Sequence, residues 1–138
     1  MLLRIPRHSG LFCNRALLYH TLHSIGGIIM ATHEFRIMPA APLPGKRYDK
    51  YEPEKYNCVR IDDELIADII TELESVDYFW HALSFIGMSF SYWGATLIHP
   101  SCLSAFIARI ENDPNLKDLK DMMEKALAEN KWMIHFGL

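Results

Sequence analysis

The hydrophobic positions that follow residue 30 fall into short runs, some alternating with polar residues and some uninterrupted. Phe35 and Ile37 alternate with two charged residues, and this period of two predicts a strand over residues 33–38. Segments of similar length that are mostly apolar predict three further strands, over residues 56–61, 92–98 and 131–136.

Three longer segments repeat their hydrophobic residues at the spacing that gives a helix one apolar face. The first begins at Asp62 or Asp63 and runs to about Ser75. The second begins at Pro100, because proline is tolerated at the first helical position, where its missing N–H would have no partner. The third begins at Pro114. The sequence therefore predicts three amphipathic helices.

The elements follow the order β, β, α, then an aromatic segment over residues 77–91 that fits a strand or a helix end, then β, α, α, β. This order indicates an α+β fold. We expect a small mixed β-sheet with about three helices packed on one face, in a single domain over residues 30–138. Trp132, Ile134 and Phe136 share one face of the last strand, and we expect that face to be buried.

The first 29 residues differ in charge from the rest of the chain. They carry three arginines and no acid, whereas all 17 acidic residues lie at or after Glu34. Polar residues interrupt the apolar run that a secretory signal requires, and an organellar presequence is the remaining targeting alternative. We expect residues 1–29 to be a disordered extension or a mis-assigned start, with translation beginning at Met30.

Composition narrows the class of protein. Half of the 138 residues are hydrophobic and 22% are charged, which excludes a disordered chain. The net charge of −3 argues against a nucleic-acid binder, whose surface is normally basic. The sequence contains no run of 18 uncharged apolar residues, and its odd number of cysteines, three, argues against a disulfide framework. We expect a soluble cytoplasmic protein that binds neither nucleic acid nor a membrane.

One predicted helix start brings together residues with nucleophilic chemistry. His99, Ser101 and Cys102 lie there, and a helix N-terminus can lower the pKa of a thiol. Nucleophilic catalysis also requires a base that a third group orients, and the sequence identifies no such group. A buried cysteine at an ordinary helix start explains the pattern equally well.

The remaining candidates for catalysis or metal binding have structural explanations. The acidic residues 62–64 suit the first turn of a helix, where the helix dipole favours negative charge. The sequence contains no glycine-rich phosphate loop. Four potential metal donors lack any recognised zinc spacing: His81, His99, Cys102 and His135. We therefore predict no catalytic residue, no metal and no cofactor.

The predicted loop over residues 46–56 is the strongest candidate for binding. It is long, polar and bounded by prolines, and long ordered loops are often functional. Tyrosine and arginine are over-represented at binding hot spots. We therefore predict that Arg47, Tyr48, Tyr51 and Tyr56 contact a partner.

Two motifs give the chain a resemblance to known sequences. One reads Gly94-Ala95-Thr96-Leu97-Ile98-His99-Pro100 before a predicted helix, and the other is the C-terminal Ile134-His135-Phe136-Gly137. Over residues 30–138 the chain resembles a family of short uncharacterised bacterial proteins with a Gly-x-Thr-Leu-Ile-x-Pro segment and an Ile-His-Phe-Gly end. It is more distantly similar to the immunity proteins that bacteria make as antidotes to toxins. The resemblance implies no catalytic residue.

We expect a non-enzymatic protein-interaction domain, and specifically an immunity-type antidote that blocks one partner. The acidic balance after Met30 suits a basic partner, because complementary charge accelerates association. One alternative is an enzyme with a shallow cleft near His99, His135 and Trp80. Another is a structural subunit that pairs through a sheet edge. The sequence leaves the oligomeric state open.

Overall fold

The computed structural model describes residues 31–48, 50–52 and 58–138. Thr32–Leu138 form one compact unit. The predicted N-terminal extension, residues 1–29, lies outside the described residues. Among the residues that are described, no helix is both long enough and apolar enough to cross a membrane.

The described part of the chain forms five strands and three α-helices. The strands are β1 (Thr32–Ile37), β2 (Val59–Asp62), β3 (Tyr78–Trp80), β4 (Ala95–Ile98) and β5 (Met133–Phe136). The helices are α1 (Asp63–Glu72), α2 (Leu103–Ile110) and α3 (Lys117–Ala128). Short 3₁₀ turns at Pro100–Cys102 and Pro114–Leu116 precede α2 and α3, each with a proline at its first position.

The strands form a single sheet in the order β2-β1-β5-β4-β3. The α+β prediction is confirmed, but the sheet is not mixed, because every neighbouring pair of described strands is antiparallel. The reason lies between β4 and β5. Two consecutive helices, α2 and α3, carry the chain down and back up, so it enters β5 from the end at which it left β4. A crossover with one helix would have produced a parallel pair.

All three described helices pack on one face of the sheet, as predicted. Phe35 of β1 and Met133 of β5 face α2 and α3, and Ile61 of β2 belongs to the same buried cluster. Each fully buried aliphatic or aromatic side chain contributes about 1.5–3 kcal/mol relative to exposure, so this layer supplies most of the stability. The helices contribute Ile66, Ile70, Leu103, Phe106, Ile110, Leu119, Met123 and Ala126.

The opposite face of the sheet is covered by loop residues. Ile134 and Phe136 are buried there with Leu97, and Trp132 is partly buried against them. The predicted burial of this face of β5 is therefore confirmed. Tyr48 is the buried loop residue that packs onto the face.

The aromatic segment over residues 77–91 forms an edge of the sheet. Only three of its residues, Tyr78–Trp80, make the regular strand β3, and Ile86 then forms an isolated antiparallel bridge with Phe79. The strand predicted over residues 92–98 begins later, at Ala95, because residues 92–94 form a turn. Helix α1 ends at Glu72, three residues before the predicted end.

Candidate functional site

The predicted binding loop holds a buried tyrosine. Tyr48 is 8% exposed, and its hydroxyl accepts a hydrogen bond from the backbone N–H of Leu43 at 2.9 Å. The ammonium group of Lys46 lies 5.1 Å from the centre of its ring. Tyr48 therefore fixes the shape of the loop and presents little area to a partner.

The other predicted loop residues have different positions. The ring of Tyr51 is 58% exposed, while its hydroxyl donates to both carboxylate oxygens of Glu34, at 2.8 and 2.9 Å. Glu34 is buried, and Arg60 lies 3.4 Å from it. Arg47 is exposed. Tyr56 lies outside the described residues.

The serine and histidine at the start of the Pro100–Cys102 turn have a capping geometry. The imidazole Nδ1 of His99 accepts the backbone N–H of Ser101 at 3.0 Å, and the hydroxyl of Ser101 donates to Asp77 at 2.7 Å. Catalysis by a serine requires its proton to pass to the histidine. Here His99 Nδ1 lies 2.9 Å from the Ser101 hydroxyl oxygen, but the hydroxyl donates to Asp77 and Nδ1 accepts the backbone N–H. Asp77 thus contacts the serine, whereas the carboxylate of a catalytic triad orients the histidine.

Cys102 does not have the environment of a reactive thiol. It is buried at the start of α2, and burial raises the pKa of its thiol. The reactive form of cysteine is the thiolate, which a raised pKa makes scarcer. Cys102 thus behaves as a small core residue.

The residues considered for a metal site or a cleft are dispersed. No group of three or more histidine, cysteine, aspartate or glutamate side chains is placed to hold a metal within the described residues. His135 lies buried on the helix side of the sheet, whereas His99 contacts Trp132, whose neighbours line the opposite face. Trp80 of β3 and His135 of β5 are both paired with Thr96 of β4, which lies between them. The structure does not bring the three cleft residues to one surface.

A chain of buried polar side chains crosses the centre of the sheet. His33 of β1 and His135 of β5 are both 0% exposed, with His33 Nδ1 2.9 Å from His135 Nε2. The other nitrogen of His33, Nε2, lies 2.7 Å from a carboxylate oxygen of Asp63 at the start of α1. The hydroxyl of Tyr92 donates to that same oxygen. The chain thus joins two strands, a helix start and a turn.

Burial sets the charge of one of the two histidines. Burial, together with the neighbouring His33, lowers the pKa of His135 well below its ordinary value, so His135 is neutral. Both ring nitrogens of His33 have partners, Nε2 in Asp63 and Nδ1 in His135. The Nδ1 atom of His135 has no partner among the described residues.

The buried chain is a structural device. Neither imidazole reaches solvent, and the side chain of Asp63 is 25% exposed, so the opening to water lies at the carboxylate. A general base must come within hydrogen-bond reach of a substrate, which these rings do not. Asp63 and Glu64 lie in the first turn of α1, as predicted, and Asp62 at the cap position makes no side-chain capping bond. The carboxylate of Asp63 in addition binds His33 and Tyr92.

Sequence reasoning missed the histidine pair because its members are 102 residues apart. Each lies in a predicted strand, whose residues point alternately to its two faces. That signal marks a residue on one face of a strand without naming its partner, since the order of strands in the sheet is unknown at that stage. The pairing of β1 with β5 is what aligns the two rings.

The clearest exposed feature is an apolar surface beside β3, which we call the β3 edge surface. Its four side chains are each 50–57% exposed, and they make up four of the seven exposed large hydrophobic residues in the described part of the chain. Hydrogen bonds hold them together, since Ser75 N–H donates to the carbonyl of Met88 and Trp80 N–H to that of Phe85, both at 2.9 Å. The four are Val76, Phe85, Ile86 and Met88.

The backbone of this surface is tightly held. The indole of Trp80 lies against Gly87, where a side chain would overlap the ring, and its Nε1–H donates to the carbonyl of Ser89 at 2.6 Å. His81 and Met88 bracket the segment with positive φ angles of 66° and 67°, a region that residues other than glycine rarely adopt. Strained backbone of this kind tends to occur at functional sites.

The surface lies in a strongly acidic part of the chain. Residues 61–108 contain seven aspartates and glutamates and no lysine or arginine. Glu74 and Asp77 flank Ser75, the residue that binds the backbone of Met88. The β3 edge surface therefore combines apolar side chains with two nearby acidic residues, Glu74 and Asp77.

Comparisons of this chain with protein-family models, with curated proteins and with solved structures found no match. The resemblance to short bacterial proteins and to immunity proteins thus remains a prediction from the sequence. A proposal for the function therefore rests on the geometry of the described residues.

Proposed function

We propose that this chain is a non-enzymatic protein-interaction domain that binds a single partner through the β3 edge surface. The observation that carries the proposal is the concentration of exposed apolar side chains at one edge of the sheet. Contiguous exposed apolar surface in a monomer commonly marks an interaction site. Its rigid backbone reduces the entropy that a partner's binding must offset.

The charge of this region favours a basic partner. Glu74 and Asp77 lie in the segment next to the surface, where residues 61–108 contain no lysine or arginine, so this region attracts positive charge and repels acidic proteins. An apolar centre surrounded by charge is the usual anatomy of a specific interface. The finer proposal is an immunity-type antidote, a protein that covers a basic toxin and blocks it.

The loop that the sequence singled out has a secondary role in this proposal. Tyr48 N–H donates to the carbonyl of His81 at 2.6 Å, so the loop is attached to the segment that leads into the β3 edge surface. Arg47 is exposed next to this attachment and extends the contact area, and Tyr48 is a supporting residue. Tyr51 contacts Glu34 of β1 and Phe136 of β5, away from the β3 edge.

The geometry of the described residues gives less support to the two alternatives. An enzyme cleft at His99 and His135 is unsupported because these residues lie on opposite sides of the sheet. Pairing of two copies through the β3 edge would bring two acidic surfaces together, which opposes association.

Photo-crosslinking in the cells that make the protein tests the proposal. A benzoylphenylalanine at position 85, in place of Phe85, should link to one partner protein with a basic surface. The matched control places the same group at Leu127, which is 40% exposed and lies on α3. A partner that links equally well from position 127, or no link from position 85, would refute the proposal.

Variants of the same surface make the test specific. Ile86→Glu adds a charge to the centre of the β3 edge surface and should remove the crosslink. Leu127→Glu adds the same charge elsewhere and should leave it intact. Circular dichroism on both variants checks that the fold is retained, which is expected because both side chains are exposed.

A further inference from the structure

Ile86 lies in an exposed loop, yet its backbone forms a β-bridge with β3. Phe79 and Ile86 are opposite each other in an antiparallel bridge, and the hydrogen bonds lie on either side of them. Trp80 N–H donates to the carbonyl of Phe85, and Gly87 N–H donates to that of Tyr78, both at 2.9 Å. This pattern makes Phe79 and Ile86 a non-hydrogen-bonded pair.

A residue in such a pair directs its own N–H and C=O away from the neighbouring strand. The backbone donor and acceptor of Ile86 therefore point outward from the sheet, beside a side chain that is 52% exposed. An outward donor and acceptor at a sheet edge form a template on which a further strand can pair.

We infer that the β3 edge surface binds its partner by strand addition, with an extended, basic segment of the partner hydrogen-bonded to the backbone of Ile86. The inference rests on the proposed function and specifies how it is carried out. Main-chain hydrogen bonds supply register in this mode of recognition, and side chains on alternate positions supply specificity.

The nature of the added segment follows from its surroundings. Phe85 and Ile86 are adjacent residues and so present apolar surface on the two sides of the edge. Glu74 and Asp77, in the segment that is hydrogen-bonded to Met88, favour lysine or arginine in the partner. A second copy of this chain has the same outward groups but the same acidic charge, which disfavours it as the occupant.

Residues 85–88 have few of the features that keep a sheet edge from pairing with another strand. Natural edges are commonly protected by charged side chains, and β2 at the other end of the sheet has the exposed Arg60 and Asp62. Residues 85–88 read Phe-Ile-Gly-Met and contain no charge. An unprotected edge next to a conformationally fixed segment is consistent with a binding site.

Defined peptides test the mode of binding with the purified full chain. The first probe is a nine-residue peptide of alternating lysine and valine, and the second replaces each lysine with glutamate. The third is the lysine peptide with N-methyl groups on alternate amides, which cannot donate those hydrogen bonds. We expect the lysine peptide to bind at least tenfold more tightly than either of the other two, measured by calorimetry.

Nuclear magnetic resonance locates the site in the same samples. The lysine peptide should shift the amide resonances of residues 85–87 and leave those of α3 unchanged. Ile86→Glu changes the side chain but retains the backbone N–H and C=O. Gly87→Pro removes the N–H that donates to Tyr78 and so disrupts the bridge between Phe79 and Ile86, which makes it the stronger test. It should abolish binding, whereas Leu127→Glu should leave it unchanged.

The outcomes separate strand addition from the interaction-domain function on which it rests. Equal affinity for the methylated and unmethylated peptides, no binding by the lysine peptide, or shifts confined to the helices would overturn strand addition. A crosslink from position 85 would then still support the interaction domain. Concentration-dependent dimerisation that Ile86→Glu prevents would show that a second copy occupies the edge, which also overturns the inference.

Discussion

The centre of the sheet and its β3 edge depart from the usual distribution of residues in opposite directions. At the centre, His33 and His135 are polar side chains that are completely buried. At the edge, Phe85 and Ile86 are large apolar side chains that are half exposed. Buried polar groups and exposed apolar patches are the informative exceptions to the rule that hydrophobic residues lie inside.

The two exceptions have different explanations. The buried histidines have partners, since a hydrogen bond joins them and Asp63 binds the ring of His33. Three of their four ring nitrogens have a partner among the described residues, Nδ1 of His135 being the exception, and the contacts connect β1, β5 and α1. The exposed hydrophobics have no comparable internal purpose, and we attribute them to a partner outside the chain.

The largest stability effect is expected at the centre of the sheet. Ile134 is 1% exposed on β5, so Ile134→Ala should lower the free energy of unfolding by about 2–5 kcal/mol through lost burial and a cavity. Denaturant titration followed by circular dichroism measures the change. A loss below about 1 kcal/mol would mean that β5 is peripheral, contrary to its place between β1 and β4.

Removing a link from the polar chain should have the next largest effect. His33→Phe keeps a ring of similar size but leaves the carboxylate of Asp63 and the Nε2 atom of His135 without this partner. We expect a loss of about 1–3 kcal/mol in the same titration, because unsatisfied buried groups are costly. Tyr92→Phe removes only the hydroxyl that donates to Asp63, so we expect it to lower the free energy of unfolding by less. An unchanged stability in His33→Phe would show that the chain is dispensable.

The pH dependence of stability should report the same histidines. The pKa of His135 is lower in the folded protein than in the unfolded chain, whose histidines have a pKa near 6.5. Below about pH 6.5 the unfolded state binds a proton that the folded state does not, so stability falls as the pH decreases, by up to about 1.4 kcal/mol per pH unit. His135→Phe should flatten this slope. An equal slope in both proteins would assign it to other groups.

The smallest stability effect is expected at the β3 edge. Phe85→Ser replaces an exposed apolar side chain, and surface substitutions usually change stability by within about 0.5 kcal/mol. The same substitution should weaken partner binding markedly if the surface is an interface. A large loss of stability without loss of binding would instead place Phe85 in the core.

The sequence alone predicted the layers of the fold because periodicity reports which face of an element is buried. Phe35 alternates with charged neighbours, and the helical stripes include Phe106 and Ile110, all of which lie in the core. Periodicity gives no strand order, so the antiparallel pairing of β4 with β5 and the contact between the two histidines were out of reach. These depend on contacts between residues that are far apart in the chain.

The candidate site was harder to predict for a related reason. Tyr48 and Tyr51 are both loop tyrosines next to charged residues, and the sequence does not distinguish the one that packs inward from the one that is exposed. An apolar residue such as Ile86 normally predicts burial. Its exposure arises because no described strand lies beyond the bridge, a property of the assembled sheet.

Hydrogen exchange at the backbone amide of Ile86 is the most direct test of the claim that this edge binds the partner. In the free protein we expect rapid exchange at Ile86 and slow exchange at Ile134, whose strand lies inside the sheet. When the partner captured by crosslinking is added, exchange at Ile86 should slow at least tenfold while Arg60 on β2 remains unchanged. Unaltered exchange at Ile86, with new protection on the helices or β2, would contradict the account.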